Sequence, residues 1–70
     1  MTVSYDKLWK VLIDRKMNRT ELKDASGISF NVLAKLGRNE FVSMESLCKV
    51  CNTLSCNIGD IMDFVLTTDE

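Results

Sequence analysis

The sequence contains no histidine, no proline and only three glycines among its 70 residues. Because 46% of the residues are hydrophobic, this composition is typical of a compact helical domain and excludes a disordered or fibrous chain. No apolar run approaches the roughly 20 residues that a transmembrane helix needs. The opening MTVSYDKLWK carries charges where a signal peptide has its apolar segment. We therefore expect one cytoplasmic domain, residues 1–70, without a membrane segment.

Cysteine is also scarce, and the odd number of three (Cys48, Cys51 and Cys56), without secretory features, argues against a disulfide framework. The Cys48-x-x-Cys51 spacing invites a metal or redox interpretation. However, a structural zinc site needs four ligands, and no histidine can complete one here. A redox pair is normally activated at a helix N-terminus, whereas these residues fall within a predicted helix. We expect buried, inert thiols and no metal site.

The residues that most enzymes use are missing or unpartnered. There is no histidine, and the pattern offers no base beside any cysteine. Asp60 and Asp63, three residues apart, would lie close together on a helix and could act as acid and base. A solvated face is the simpler interpretation, since an acid in a first helical turn complements the helix dipole. The sequence therefore predicts no enzyme, no cofactor and no small-molecule ligand.

Charge is distributed unevenly along the chain although the net charge is only −1. Residues 1–50 hold nine bases and six acids, a sum of +3, whereas residues 51–70 hold four acids and no base, a sum of −4. This asymmetry suggests a cationic working face and an anionic back. Ordinary solvated helices are the alternative.

Capping residues and helical periodicity predict five helices and no strand. The first begins near Ser4 and turns an apolar face inward (Tyr5, Leu8, Trp9, Leu12, Ile13). Asn18 and Glu21 form a predicted capping box at the start of the second, which buries Leu22 and Ala25. Gly27 ends that helix and Ser29 caps the third after a short turn, which is helix-turn-helix geometry.

The third predicted helix buries Ile28, Leu33 and Leu36 and ends at the residues Gly37, Arg38 and Asn39. Its outward positions are Ser29, Phe30, Asn31, Ala34 and Lys35. Ser43 caps a fourth helix, with Met44, Leu47, Val50, Cys51 and Leu54 facing inward, and Asn57 caps a fifth, with Ile58, Ile61, Met62 and Val65 facing inward.

This arrangement resembles the Cro and phage-repressor type of helix-turn-helix regulator, also called XRE-like. The resemblance spans nearly the whole chain and rests on Leu22, Gly27, Ile28, Ser29, Leu33 and Leu36, followed by VSMESLCKVCNTLSCNIGDIM. It implies an all-α, five-helix lambda-repressor-like domain that binds double-stranded DNA. Its helix-turn-helix consists of helices 2 and 3, and helix 3 enters the major groove.

The same resemblance implies roles for individual residues. Phe30, Asn31 and Lys35 take base-reading places. The resemblance assigns phosphate contacts to Arg19, Ser29, Arg38 and Asn39. Lys23 stands where the family commonly has alanine. We expect a slight separation of the two helices there, with the Lys23 stem covering the surface and its ammonium directed outward toward phosphate. For Phe30, closing the core or a dimer surface is an alternative, and for Asn31 and Lys35 the alternative is plain solvation.

These observations predict a sequence-specific transcriptional regulator, expected to act as a repressor at an operator. A small protein-interaction module on the same scaffold, antirepressor-like or antitoxin-like, is the alternative, favoured by the low net charge and by Phe30. Apolar residues in the C-terminal half (Phe41, Phe64, Leu66) exceed what the core needs and suggest a homodimer, completed on DNA, with Phe64 or Leu66 at its contact. The alternative is that they close the small core.

Overall fold

The computed structural model describes residues 2–66, which form four α-helices, one 3-10 turn and a two-stranded sheet. Two acids of the C-terminal charge count, Asp69 and Glu70, lie outside the described residues. None of the helices within residues 2–66 has the length and apolar character needed to cross a membrane. The elements in chain order are β1 (Thr2–Ser4), α1 (Asp6–Asp14), α2 (Arg19–Ser26), α3 (Phe30–Gly37), α4 (Met44–Leu54), the 3-10 turn (Ile58–Asp60) and β2 (Asp63–Val65).

The predicted helix ends are confirmed in α2, α3 and α4. Asn18 and Glu21 form the capping box of α2: the Glu21 N–H donates to Asn18 Oδ1 at 2.7 Å and the Asn18 N–H donates to Glu21 Oε1 at 2.8 Å. Gly27 ends α2 in the left-handed region, with φ 82°. Ser29 and Ser43 cap α3 and α4 by accepting hydrogen bonds from backbone N–H groups. Local side-chain chemistry therefore leaves only three residues between α2 and α3.

The predicted fifth helix is wrong. In the described part of the chain after Asn57, residues 58–66, only Ile58–Asp60 is helical, as a single 3-10 turn, and the chain is extended at Asp63–Val65. The prediction that the chain has no strand is also wrong, because β2 pairs antiparallel with β1 in the register Val3↔Phe64. Gly59 weakens a helix at this point, and the β-forming residues Phe64 and Val65 gain backbone partners from the N-terminal strand. A tertiary pairing thus overrides the helical periodicity.

The helices and β1 enclose one apolar core. α2 contacts both α3 and α4, so the helix-turn-helix is supported from behind by α4. Val3 alone of the three β1 residues is fully buried, and Ile61 and Met62 close the core beneath the C-terminal segment. The buried apolar residues are Val3, Tyr5, Leu8, Leu12, Leu22, Ile28, Leu36, Leu47, Val50, Leu54, Ile61 and Met62.

Several residues predicted to face inward are exposed. Ile13 lies near the C-terminal end of α1 and keeps 73% of its accessible area, and Met44 at the start of α4 keeps 66%. Ala25 lies on the outer side of α2, and Val65 is in the exposed strand β2 rather than in a helix. Ile58, in the 3-10 turn, is likewise exposed. In α1 and α4 the predicted apolar stripe is otherwise correct, but Ile13 and Met44 lie toward helix ends, where the stripe stays exposed.

The prediction of three buried thiols is wrong for Cys48, which is exposed, whereas Cys51 and Cys56 are half-buried. Cys48 follows the buried Leu47, and the turn of the helix carries it away from the core. Burial raises the pKa of the Cys51 thiol, and the neighbouring Cys56 raises it further. Among residues 2–66, no three acidic, histidine or cysteine side chains are placed to hold a metal ion.

Long-range polar contacts fasten the helix ends. The Arg15 guanidinium, just beyond α1, donates to the Leu54 carbonyl at the end of α4. Lys7 in α1 donates to the Gly59 carbonyl at 3.1 Å and pairs with Asp63 at 3.1 Å. Part of the C-terminal acidity is therefore neutralised by a base from the N-terminal half.

Candidate nucleic-acid interface

The outer face of α3 carries the three residues predicted to read bases. Phe30, Asn31 and Lys35 are all exposed, at positions i, i+1 and i+5, which lie on one side of a helix. Leu36, on the opposite side, is fully buried. The predicted inward and outward sides of α3 are thus confirmed, and the three side chains extend from one surface.

Ser29 lies at the start of this surface. Its Oγ accepts a hydrogen bond from the Val32 N–H at 3.2 Å, so the hydroxyl is fixed at the N-terminus of α3. The hydroxyl proton is not used in that bond, because Oγ is the acceptor. Ser29 can therefore cap the helix and donate to an anion at the same time, beside the N–H groups of the first turn.

Lys23 bridges α2 and α3 in a way that the sequence did not indicate. Its side chain keeps only 20% of its area exposed, and its Nζ lies 4.4 Å from the centroid of the Phe30 ring and 3.2 Å from Asp24 Oδ1. The stem covers the surface as expected, but the ammonium lies over an aromatic ring instead of extending freely outward. Lys23 thus covers one face of the Phe30 ring, and its ammonium also forms an ion pair with Asp24.

Arg19 stacks on the face of Trp9. Its guanidinium carbon lies 3.9 Å from the ring centroid, within the range of a cation–π contact. Arg19 also lines a shallow depression whose other walls come from α3 and the residue after it: Phe30, Leu33, Ala34, Gly37 and Arg38. The structure therefore brings three predicted DNA-contacting residues, Arg19, Phe30 and Arg38, around one depression.

Arg38 forms an ion pair with Glu40 on the solvent side of the loop after α3. Arg38 Nε donates to Glu40 Oε2 at 2.8 Å, and Nη2 donates to Oε1 at 3.4 Å. The hydrogen bond from Arg38 lowers the pKa of the exposed Glu40 carboxyl, and Glu40 raises the pKa of Arg38. A phosphate that binds Arg38 must therefore compete with this carboxylate.

Asn39 has a structural role. Its backbone is left-handed, with φ 56°, and its Oδ1 accepts a hydrogen bond from the Tyr5 N–H at 3.1 Å. The Tyr5 hydroxyl donates to the Glu40 carbonyl at 2.8 Å, and burial raises the pKa of this phenol. These two bonds fix the end of α3 to the start of α1. The Asn39 amide oxygen is therefore committed to the fold, which leaves its NH₂ group for any outside partner.

The predicted dimer residues lie on a different surface. Phe64 keeps 59% of its area exposed and Leu66 keeps 69%. Phe64 borders an apolar groove of about 560 Å³ to which α2 and α3 contribute no residue. Its walls are Tyr5, Phe41, Val42, Met44, Leu47, Ile58, Gly59, Met62, Asp63 and Phe64.

Two residues beside Arg19 were missed by sequence reasoning. Trp9 was predicted as core and Gly37 as a helix breaker, yet the Trp9 ring stacks on Arg19, and Gly37 lines the same depression as Arg19. Trp9 is only half-buried, but the sequence carries no signal for this, because Trp9 falls within the predicted apolar stripe of α1. Gly37 gives no signal either, since a glycine near a helix end is expected on capping grounds alone.

Comparison with known proteins agrees with this geometry. Residues 7–67 match the family described as Cro/C1-type HTH DNA-binding domain. Among solved structures, the chain is similar to the transcriptional regulator VanUg, with 52% sequence identity and a TM-score of 0.86. That similarity covers 89% of this chain and 83% of VanUg. A search of the curated proteins gave no match.

Proposed function

The chain belongs to the Cro/C1-type helix-turn-helix DNA-binding domains, and from this membership we propose that it is a sequence-specific transcriptional regulator. The observation that carries the proposal is the outer face of α3, where Phe30, Asn31 and Lys35 extend together from a helix capped at Ser29. VanUg, which is similar over most of its length, is itself a transcriptional regulator. The proposed chemistry is binding and not catalysis.

In the proposed complex, α3 lies in the major groove and its exposed side chains contact base edges. The Asn31 amide suits adenine N6 and N7, and the Lys35 ammonium can donate to guanine O6 and N7. The Phe30 ring can pack against a thymine methyl, with its other face covered by Lys23. These three contacts would provide the sequence specificity.

We assign phosphate contacts to five residues around the edge of this face. These residues differ in the hydrogen bonds or ion pairs that they already make within the protein. The Ser29 hydroxyl is already fixed beside the α3 N-terminus, while Asn39 can offer only its NH₂ group. Lys23 and Arg38 are paired with Asp24 and Glu40. Arg19 takes part in none of the ion pairs within residues 2–66. We therefore expect Arg19 to make the strongest phosphate contact.

The biological unit that we propose is a homodimer of the single domain 1–70, acting in the cytoplasm as a repressor. One domain of this size reads few base pairs, and two copies on a two-part operator raise affinity and specificity. The exposed side chains of Phe64 and Leu66 supply the apolar surface for the contact. Repression follows from occupancy, because a protein bound over a promoter excludes polymerase.

Selection of bound sites from random duplex DNA, followed by a salt titration on the selected site, tests the proposal. We expect a two-part site and an affinity that falls steeply with ionic strength, because phosphate contacts release counterions. The Arg19→Ala variant should weaken binding to all sequences and reduce the salt slope by about one unit. Enrichment of no sequence, together with binding that is insensitive to salt, would instead favour a protein-interaction module that uses the apolar groove.

A further inference from the structure

We propose that Trp9 is a positioning residue that orders the Arg19 guanidinium for phosphate contact, and that Gly37 keeps the space for that guanidinium open. This inference rests on the proposed DNA-binding function and concerns how the interface is prepared before DNA arrives. It assigns to α1, which supplies none of the predicted DNA contacts, a direct part in the geometry of binding.

The geometry places Arg19 between two helices. Its guanidinium carbon lies 3.9 Å from the Trp9 ring centroid in α1, and its side chain lines the depression formed with α3. Tryptophan offers the strongest aromatic attraction for a cation. Arg19 is the first residue of α2, so an ordered side chain here places its charge beside the N–H groups of the first turn, where an anion is favoured.

Stacking differs from ion pairing in its consequence for binding. Arg38 forms an ion pair with Glu40, and Lys23 forms one with Asp24, so each of these cations must exchange a carboxylate for a phosphate. A cation on an aromatic face keeps its full charge, and the edge of the guanidinium keeps its N–H donors. Trp9 therefore restricts the motion of Arg19 without competing for the ligand, and less conformational entropy is lost when a phosphate binds.

Gly37 supplies the space. A Cβ built at this position would lie 3.0 Å from Arg19 Nη1, closer than side-chain carbons normally approach. The backbone here is helical, since the positive-φ glycine is Gly27 and not Gly37. Gly37 is the last residue of α3, and its backbone conformation does not require glycine. A side chain at position 37 would therefore enter the space that the Arg19 guanidinium occupies.

The first test compares Trp9→Phe with Trp9→Leu. Trp9→Phe keeps an aromatic face and should bind DNA close to the parent level, whereas Trp9→Leu should bind about 2- to 5-fold more weakly, the effect of an exposed cation–π contact. NMR relaxation of the Arg19 Nε–H in the free protein provides a readout without DNA. Arg19 should be ordered in the parent and in Trp9→Phe, and mobile in Trp9→Leu.

The second test uses Gly37→Ala, which should lower the affinity for DNA without lowering the stability of the fold. The melting temperature should stay the same or rise, because alanine favours the helix, while DNA affinity should fall about 2- to 5-fold as the new methyl displaces the guanidinium from Trp9. Both this loss and that of Trp9→Leu should vanish in an Arg19→Ala background, measured at low salt where binding remains detectable. A direct clash of the new methyl with DNA would persist in that background.

The outcomes separate this inference from the proposed function. If the parent binds no DNA, the proposed function fails and the inference fails with it, before any variant is compared. If the parent binds DNA but Trp9→Leu or Gly37→Ala weakens binding equally with and without Arg19, the positioning role is refuted while the function stands. An Arg19 side chain equally mobile in the parent and in Trp9→Leu would also refute it.

Discussion

Substituting the exposed apolar residues Phe64 and Leu66 with serine tests the proposed dimer most directly. Full burial of such a side chain contributes about 1.5–3 kcal/mol. Because Phe64 keeps 59% of its area and Leu66 keeps 69%, covering what is exposed contributes about 1–2 kcal/mol for each side chain. A symmetric contact contains both residues twice, so complete coverage amounts to about 4–8 kcal/mol.

The double variant Phe64→Ser, Leu66→Ser should therefore weaken dimerisation by at least a hundred-fold, since every 1.4 kcal/mol is about ten-fold in affinity. Sedimentation over a range of protein concentrations, with and without a two-part operator, measures the change. Ile13→Ser is a matched control, because Ile13 is equally exposed but lies on α1 and outside the apolar groove. It should leave association unchanged.

Two results would refute the dimer assignment. One is a folded double variant whose dimer is as stable as that of the parent. The other is a parent chain that stays monomeric and occupies a single half-site without cooperativity. Thermal unfolding of each variant shows whether it is folded, and little change is expected because Phe64 and Leu66 contribute mostly exposed area.

The remaining predictions concern α3 and the loop that follows it. Asn31→Ala and Lys35→Ala should each change which sequences are selected, at about 1–3 kcal/mol per lost base contact, with little change in melting temperature; identical selected sites would contradict base reading. Asn39→Ala should lower the free energy of unfolding in urea by about 2–3 kcal/mol, and Asn39→Gly should lower it by about 1 kcal/mol. Both variants lose the hydrogen bond from the Tyr5 N–H, but only alanine is strained at φ 56°. Equal losses in the two variants would contradict this explanation. Glu40→Gln should free Arg38 and steepen the salt dependence of DNA binding by about one unit, whereas an unchanged slope would exclude Arg38 as a phosphate contact. Because Arg38 lowers the pKa of Glu40, this ion pair stabilises the fold at neutral pH, and the stabilisation is lost as the pH falls through the lowered pKa. The melting temperature should therefore fall between neutral pH and about pH 3, and it should fall less in the Arg38→Ala variant.

The parts of the fold that were predictable depend on short-range chemistry. The capping box of Asn18 and Glu21, the left-handed Gly27 and the serine caps each involve residues within a few positions of one another. The exposed side of α3 follows from a period of 3.6 residues in the same way. The C-terminal segment differs because its conformation depends on β1, about 60 positions earlier in the chain. A periodicity that fits a helix carries no information about such a pairing.

In the candidate nucleic-acid interface, too, local features could be predicted from the sequence and long-range contacts could not. Exposure of Phe30, Asn31 and Lys35 was predictable, whereas the contacts made by the cations around them were not. Arg19 stacks on a residue ten positions away, and Lys7 pairs with Asp63 across most of the chain. A count of charges predicts that residues 1–50 are cationic, but ion pairs in the folded chain decide which of those charges remain available.

Asn39 shows how a small domain can couple its binding face to its fold. Its carboxamide fixes the end of α3 to the Tyr5 N–H at the start of α1. One helical turn further along α1, Trp9 holds Arg19 at the start of α2. A chain of 70 residues buries only about 60% of its unfolded surface, so apolar packing alone orients helix ends weakly. Two side-chain contacts therefore connect α1 to the end of α3 and to the start of α2, and loosening either contact should disturb the alignment of α3 with the phosphate-binding groups before it unfolds the core.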